Sequence, residues 1–336
     1  MPTRRKFLAA TAAALVLPRF SLAAAPTEQV AALRIFGHAG GKPLQALAAS
    51  AGAGVRGTTL TLHWDELGRN ADGGYDGTNG IDGLAQLCRN AGIQPALEIP
   101  VIDEATMRVP GEFEQAPLPR MVAEFGKLIE HLAETLGYQP PVVILGKSVD
   151  RYLRVNDEGW RNMTAFVREV APMIRTAWPD AKVSVAGTFE GVNGAHRKRF
   201  AELWKPCDLA LVSYLPLWDT AMMKPGRQVE RDLRRIPALA GMPCGIHDVA
   251  CPSGTVCGSS EQAQADFIDL LANVCRGSDA LRWVQLAWYQ DLPPGIAKGL
   301  AGTLGSDLAA FADAIATLGL HHANGVAKPA WERLVG

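Results

Sequence analysis

The sequence has almost no net charge and few aromatic residues, and both shortages limit what the chain can do. Its 336 residues contain 33 Lys and Arg against 34 Asp and Glu, so the formal net charge is −1. Nucleic-acid binders need a clear excess of basic residues to neutralise phosphates, so we expect no nucleic-acid partner. A hydrophobic fraction of 48% excludes a disordered or collagen-like chain. Aromatic residues make up only 7%, yet eight of them are Trp.

The N-terminal segment lacks an apolar run long enough to anchor the chain in a membrane. Basic residues at positions 4–6 precede an apolar run at 7–17, whereas a spanning helix needs about 20 apolar residues. Small residues at 23–25 complete the layout of a cleavable export signal. The Arg-Arg-x-Phe-Leu sequence resembles a twin-arginine signal, with an ordinary secretory signal as the alternative. We expect a signal peptide at 1–25, a mature domain at 26–336, the twin-arginine export machinery as a partner, and a periplasmic or secreted location.

The six cysteines include no Cys-x-x-Cys pair, which makes a zinc site a weak interpretation. In an oxidising compartment they could form disulfides. Cys251 and Cys257 are the most plausible pair, because they flank a short turn-rich segment. Buried free thiols are the alternative for Cys88 and Cys275. We expect no metal and no cofactor.

After residue 25, short apolar runs typical of strands alternate with amphipathic stretches typical of helices. This alternation predicts a parallel sheet covered by helices. The segment at 37–41 lacks the Gly-x-Gly-x-x-Gly spacing of a dinucleotide-binding fold. We therefore predict one α/β domain, a single (β/α)8 TIM barrel. The eight predicted strands are Leu33–Gly37, Thr58–Trp64, Ile93–Ile102, Val142–Gly146, Lys182–Gly187, Leu209–Tyr214, Cys244–Val249 and Arg282–Trp288.

The ends of these predicted strands are rich in polar groups and aromatic residues. In such barrels the chemistry lies at the carboxyl ends of the strands. Carboxylates beside flat aromatic faces suit sugars, which stack through C–H faces and form hydrogen bonds through hydroxyls. We therefore expect a carbohydrate ligand, with core packing as the alternative for any single Trp. The predicted stacking residues are Trp64, Tyr214, Trp218, Trp288 and Tyr289, and the predicted polar contacts are Asp65, Lys147, Glu190, His247 and Asp291.

Two segments resemble motifs of the clan A glycosidases, a group that includes endo-galactanases, cellulases and xylosidases. Residues 143–153 (VILGKSVDRYL) are similar to the fourth-strand motif that usually ends Gly-Asn-Glu-Val-Asp-x-Tyr-Leu. Residues 245–254 (GIHDVACPSG) are similar to the seventh-strand motif in which a Glu precedes a small-residue turn and Pro-Ser. The likeness covers nearly the whole mature chain. It implies a (β/α)8 barrel that acts on or binds a carbohydrate.

The same alignment shows where this chain departs from the family. In the family the fourth-strand Glu is the general acid/base and the seventh-strand Glu is the nucleophile, about 5 to 5.5 Å apart in retaining enzymes. Here Ser148 stands at the acid/base position and Asp248 at the nucleophile position. A serine hydroxyl does not protonate a leaving oxygen as a carboxylic acid does. The usual catalytic pair is therefore incomplete.

Three interpretations remain open from the sequence. In the first, Asp150 or Glu190 supplies the acid and acts with Asp248 at the longer spacing of an inverting mechanism. In the second, the chain is a non-catalytic sugar-binding or scaffold protein. In the third, Ser148 is a nucleophile activated by Lys147 or His247; the Gly-x-Ser-x-Gly elbow that would favour this is absent at 146–150.

Overall fold

The structure is a computed structural model that describes residues 29–35, 43–70 and 72–336. The predicted signal peptide at 1–25 lies outside the described residues and stays a prediction. Among the residues that are described, no helix is both long enough and apolar enough to cross a membrane.

Eight parallel strands close into a barrel, in which each strand pairs with the next along the chain and the last pairs with the first. The predicted single (β/α)8 barrel is thereby confirmed. Several strands are shorter than predicted, and the first begins at Val30 rather than at Leu33. The strands are β1 Val30–Leu33, β2 Gly57–Thr61, β3 Gln94–Glu98, β4 Val142–Ile144, β5 Lys182–Thr188, β6 Leu209–Ser213, β7 Cys244–Val249 and β8 Leu281–Leu286.

Helices follow the strands and cover the outside of the barrel. Side-chain oxygens cap two of the longest: Asn156 accepts from Gly159 N before the helix Asp157–Ala177, and Ser260 accepts from Ala263 N before the helix Glu261–Arg276. The outer helices are α1 Pro43–Gly52, α2 Ile81–Asn90, α3 Leu118–Thr135, α4 Asp157–Ala177, α5 Arg197–Leu203, α6 Gly226–Ala240, α7 Glu261–Arg276 and α8 Pro329–Val335. Loop helices lie at Trp64–Glu66, Gly111–Glu114, Asp150–Leu153, Phe189–Asn193, Pro294–Thr303 and Ala309–Ala316.

Side chains from the strands fill the interior of the barrel. The largest is Trp283 of β8, which is 1% exposed and packs with Ala32, Ile144 and Leu211. Gly57 makes room for it, because a Cβ at that position would lie 2.9 Å from the Trp283 ring. The interior is thus a packed core rather than a channel, and ligands have access only beyond the strand ends.

Candidate functional site

A cavity of about 640 Å³ lies at the carboxyl ends of the barrel strands. This volume is within the range of about 300 to 1,000 Å³ that is common for small-molecule sites. Residues at or just beyond all eight strand ends contribute to its lining; in strand order they include Arg34, His63, Glu104, Lys147, Thr188, Leu215, Asp248 and Trp288.

Asp248, near the end of β7, has donors on both of its carboxylate oxygens. Arg34 donates from Nε to Oδ1 at 2.9 Å and from Nη2 to Oδ2 at 3.0 Å. Gln285 donates to Oδ1 at 2.9 Å, and the ammonium of Lys147 lies 3.4 Å from Oδ2. Burial disfavours the charged form of Asp248, but Arg34, His247 and Lys147 outweigh it and hold the pKa well below its usual value. Asp248 is therefore a carboxylate held by three hydrogen bonds and one ion pair.

A second buried group lies beneath Asp248 and shares Arg34 with it. Glu98 of β3 is fully buried and accepts from Thr61 Oγ1 at 2.6 Å and from Arg34 Nη1 at 3.3 Å. His247 Nε2 lies 2.9 Å from Glu98 Oε1. Burial opposes ionisation of Glu98, but Arg34 and His247 lower its pKa well below the ordinary value. These contacts fix the orientation of Arg34 and thereby that of Asp248.

Lys147 connects Asp248 to a group of charges on the β3 side of the cavity. Its backbone N–H donates to Ile102 O and its carbonyl accepts from Glu104 N, both at 2.9 Å, which extends the pairing of β3 and β4 beyond the barrel. Its ammonium also lies 3.9 Å from Asp103 Oδ1. Burial disfavours the charged form of Lys147, but the nearby carboxylates, above all Asp248, raise its pKa. Lys147 thus presents a fixed positive charge to the cavity.

His63 lies at the end of β2 and contacts Asp103 on the next strand. Its Nε2 is 3.1 Å from Asp103 Oδ2, and its Nδ1 is 3.3 Å from Glu66 Oε1. The hydrogen bond with Asp103 is the main reason that the pKa of His63 is raised above its ordinary value. This pair adds a second cationic group to the cavity wall when His63 is protonated.

Ser148 contacts a carboxyl group that the sequence did not single out. Ser148 Oγ donates to Glu104 Oε1 at 3.1 Å, and Arg151 Nε lies 3.0 Å from Glu104 Oε2. Burial raises the pKa of Glu104, although Lys147 and Arg151 oppose that shift. Glu104 therefore takes up a proton more readily than an ordinary glutamate, and it lines the cavity.

Three residues of the site have backbone angles in the left-handed region. Ser148, Asp248 and Glu104 have φ values of 44°, 52° and 56°. Residues with a side chain rarely adopt such angles, and strain of this kind concentrates at functional sites. The strain therefore falls on Ser148 and Asp248, which stand at the two catalytic positions of the resembled family, and on Glu104, the hydrogen-bond partner of Ser148.

The two carboxylates proposed as relocated acids occupy different surroundings. Asp150 accepts from Thr188 N at 2.8 Å and from Thr188 Oγ1 at 2.6 Å, and it packs against Gly191 away from the cavity lining. The expectation that Asp150 is catalytic is therefore corrected, because both of its oxygens hold the start of the helix after β5. Glu190 lines the cavity, with a side chain that is 51% exposed and 3.2 Å from Lys224.

The predicted stacking residues divide between the core and the cavity. Trp64 is a core residue rather than a stacking platform, because its side chain is completely buried between Phe113 and Phe125. Trp288 lines the cavity and is partly exposed. Trp218 is 48% exposed and is not among the residues that line the cavity.

The two tyrosines also differ from each other. Tyr214 contributes to the cavity wall, but it is buried and donates its hydroxyl to Asp232. Tyr289 is corrected to a packing residue, because it stacks on His321 with ring centroids 4.1 Å apart and packs edge-on against Trp331. Of the two tyrosines only Tyr214 lines the cavity, and because it is buried it can offer a ligand no more than part of its ring.

Of the predicted polar contacts, Lys147 and Glu190 line the cavity and three others do not. His247 is fully buried and directed at Glu98. Asp291 forms a buried ion pair with Lys328 at 2.6 Å, and Asp65 pairs with Arg108 at 3.2 Å. The structure therefore gives no support to direct ligand contact by these three residues, since none of them lines the cavity.

The predicted disulfide between Cys251 and Cys257 is not formed in the structure, in which both residues are free buried thiols. Each thiol instead lies near backbone carbonyls, that of Cys251 near Pro252 and that of Cys257 near Gly254. Within the described part of the chain, no group of three or more His, Cys, Asp or Glu side chains is arranged to hold a metal ion.

Arg34, Gln285 and Glu104 belong to the site and were missed from the sequence. The first two had a signal: each is a polar residue inside an apolar strand run, at 30–36 and 283–287. Such a residue in a barrel strand must find a polar partner, which is what the arginine and the glutamine do with Asp248. Glu104 lies in a loop, and the sequence pattern gave no sign of its burial.

No protein-family profile matches the sequence, and no curated protein matches it. Solved structures do match. A fungal β-1,4-galactanase structure has 16% identity, covers 91% of this chain and 93% of its own, and has a TM-score of 0.64. The GH53 catalytic domain of Ignisphaera aggregans has 15% identity, coverages of 92% and 96%, and a TM-score of 0.63. A GH5_18 protein of Bifidobacterium longum has 12% identity, covers 92% of this chain and 78% of its own, and has a TM-score of 0.65. The chain therefore has the (β/α)8 barrel fold that is also found in these glycoside hydrolases.

Proposed function

We propose that this protein binds a carbohydrate in the cavity and does not cleave it by the double displacement of retaining glycosidases. The state of Asp248 is the observation that carries the proposal. A carboxylate has about four lone-pair sites, and three hydrogen bonds, two from Arg34 and one from Gln285, occupy this one. A nucleophile needs a lone pair directed at the substrate, and the Lys147 ammonium lies 3.4 Å from Oδ2, the oxygen that accepts only one of those bonds.

The position that supplies the proton in the family also lacks its usual group. Ser148 donates its hydroxyl to Glu104, and among the described residues its Oγ has no contact with Lys147 Nζ or with His247. Its hydrogen-bond partner is the Glu104 carboxyl and not the lysine or histidine that the serine-based interpretation requires. This contact pattern therefore gives no support to the serine-based chemistry.

The cavity suits a sugar in its polar groups and in one aromatic face. Lys147 and Asp103 present a donor and an acceptor for hydroxyls, and Trp288 supplies a partly exposed ring at the cavity wall. Sugars combine these two kinds of contact. The fold shared with a β-1,4-galactanase supports the same ligand class. We further propose export of the protein through the twin-arginine route, which rests on residues 1–25.

The proposal is tested by titrating the purified full chain with oligosaccharides of β-1,4-galactan, mannan, cellulose and xylan in a calorimeter. We expect one of these classes to bind, and we expect Lys147→Met to weaken binding by about tenfold, because it removes a charge-assisted hydrogen bond. Lys127→Met is the matched control, since Lys127 is exposed and pairs with Glu124 outside the cavity lining. Absence of binding by every class would contradict the proposal.

One observation favours hydrolysis as a second candidate. Glu104 is a cavity-lining carboxyl with a raised pKa, which is the property of a general acid. In that case turnover would fall as the pH rises through the pKa of Glu104, and Glu104→Gln would abolish it. Glu112→Gln, at an exposed glutamate, is the control. Hydrolysis of aryl glycosides that both variants retain would exclude this role.

A further inference from the structure

One wall of the cavity is apolar over most of its extent. Leu215 follows β6, and the two helices after β8, Pro294–Thr303 and Ala309–Ala316, supply the rest together with Leu304 and Leu318, which come just after them. Thr303 adds one hydroxyl to this wall. Its apolar side chains are Leu215, Leu300, Leu304, Phe311, Ile315 and Leu318, and we refer to them as the apolar wall.

The apolar wall remains partly uncovered although the two helices pack against each other. Their contact buries Ala297, Ala301 and Ile315. Leu300 and Leu304 follow the buried alanines at helical spacing, and with Phe311 they are only partly buried. Apolar surface that faces a ligand cavity costs free energy until an apolar group covers it.

A plain sugar is a poor match for this wall. Sugars stack on flat aromatic faces, whereas five of the six wall residues are leucine or isoleucine, which have no flat face and offer no partner to a hydroxyl; Phe311 is the one aromatic ring among them. A hydroxyl placed against them would lose its bonds to water without replacement. An alkyl or acyl chain has no such cost and gains from burial.

We infer that the ligand is a saccharide that carries an alkyl or acyl chain. The sugar lies over Lys147 and Asp103, and the alkyl or acyl chain of the ligand lies against Leu300, Leu304 and Phe311 of the same cavity. This inference rests on the proposed carbohydrate-binding function and specifies the class of ligand for it.

The test compares methyl, butyl and octyl β-glycosides of glucose, galactose, mannose and N-acetylglucosamine, each titrated into the full chain below its micelle concentration. Affinity for at least one sugar rises with chain length, since each buried methylene is worth about fourfold in binding. We expect the octyl glycoside to bind at least about 30-fold more tightly than the methyl glycoside. Equal affinities along every series would overturn the inference.

Two variants test where the alkyl chain of the ligand lies in the cavity. Leu300→Ser and Leu304→Ser reduce the gain from the octyl chain and leave the methyl glycoside unaffected, with folding checked by circular dichroism. Ile296→Ser is the matched control, because Ile296 is on the same helix, 47% exposed and outside the cavity lining; it keeps the full gain. If both wall variants keep the full gain in affinity of the octyl over the methyl glycoside, the alkyl chain lies elsewhere and the inference is overturned.

Octyl tetraethylene glycol distinguishes sugar-dependent binding from detergent binding. We expect it to bind more weakly than the best octyl glycoside by at least about tenfold, and equal binding would overturn the inference. Binding of oligosaccharides with no gain from any alkyl chain would refute this inference and leave the proposed function standing. Failure of both oligosaccharides and glycosides to bind would refute both.

Discussion

Arg34 and Asp248 form a two-point ion pair across 214 residues of sequence, with N···O distances of 2.9 and 3.0 Å. The pair joins β7 to the residue that follows β1, on strands that flank β8 in the barrel. Because Arg34 also contacts Glu98, it lies between two buried carboxylates at the base of the cavity. The arrangement fixes the orientation of the Asp248 carboxylate from the side of β1.

Replacement of Arg34 tests the structural weight of this pair. Arg34→Met leaves two buried carboxylates without their main partner, so we expect the free energy of unfolding to fall by about 3 to 5 kcal/mol in urea denaturation. Arg234→Met removes an exposed i,i+4 pair with Glu230 and should cost less than about 1 kcal/mol. Equal losses in the two variants would show that the buried network carries no special weight.

Acid should destabilise the protein through the same carboxylates. The pKa values of Asp248 and Glu98 are lowered in the folded state. Their contribution to the free energy of unfolding is therefore fully present above their pKa values in the unfolded chain, which are about 4. It is lost as the pH falls through their pKa values in the folded state. Unfolding free energies measured from pH 6 to pH 3 should therefore fall. Asp248→Asn should show a shallower slope than the wild type, whereas identical slopes would contradict the lowered pKa of Asp248.

Two tryptophans should respond oppositely to truncation. Trp288→Ala should weaken saccharide binding by about tenfold with little change in thermal stability, because Trp288 is a partly exposed part of the cavity wall. Trp64→Ala should cost about 3 to 5 kcal/mol of stability, since its ring is buried between two phenylalanines. Calorimetric titration and thermal melts of both variants give the comparison. Loss of binding with intact stability in Trp64→Ala would contradict this assignment.

Asp150 should prove to be a structural residue. Asp150→Ala leaves the buried Thr188 N–H without its acceptor, which should cost about 1 to 3 kcal/mol. Affinity for the saccharide, measured where the variant is fully folded, should stay within about twofold of the wild type. Asp180→Ala, at an exposed aspartate, is the control for stability. A large loss of affinity without a loss of stability would restore Asp150 as a candidate catalytic residue.

The barrel was predictable because its signal is repeated. Eight apolar runs separated by amphipathic stretches leave few alternative folds, and an error at one end, such as that of β1, does not change the topology. The places of Lys147, Ser148 and Asp248 around the cavity were also predictable, because all three come at or directly after strand ends.

Side-chain direction was the part that the sequence could not supply. Trp64 and Trp288 both come at strand ends, yet a 3-10 turn at Trp64–Glu66 carries the first into the core. Asp150 lies two residues beyond Ser148, but the helix that begins there directs its carboxylate to Thr188. Loop geometry and helix starts decide such cases, and they depend on contacts far away in sequence.

Whether the protein binds a saccharide without cleaving it can be decided from the fate of the bound saccharide. The protein is incubated with that saccharide for a day, and the sugar is recovered and analysed by mass spectrometry. We predict that it is recovered intact from the wild type and from Asp248→Asn, with binding measured on the same samples. Cleavage by the wild type that disappears in Asp248→Asn would contradict binding without cleavage and identify Asp248 as a catalytic residue.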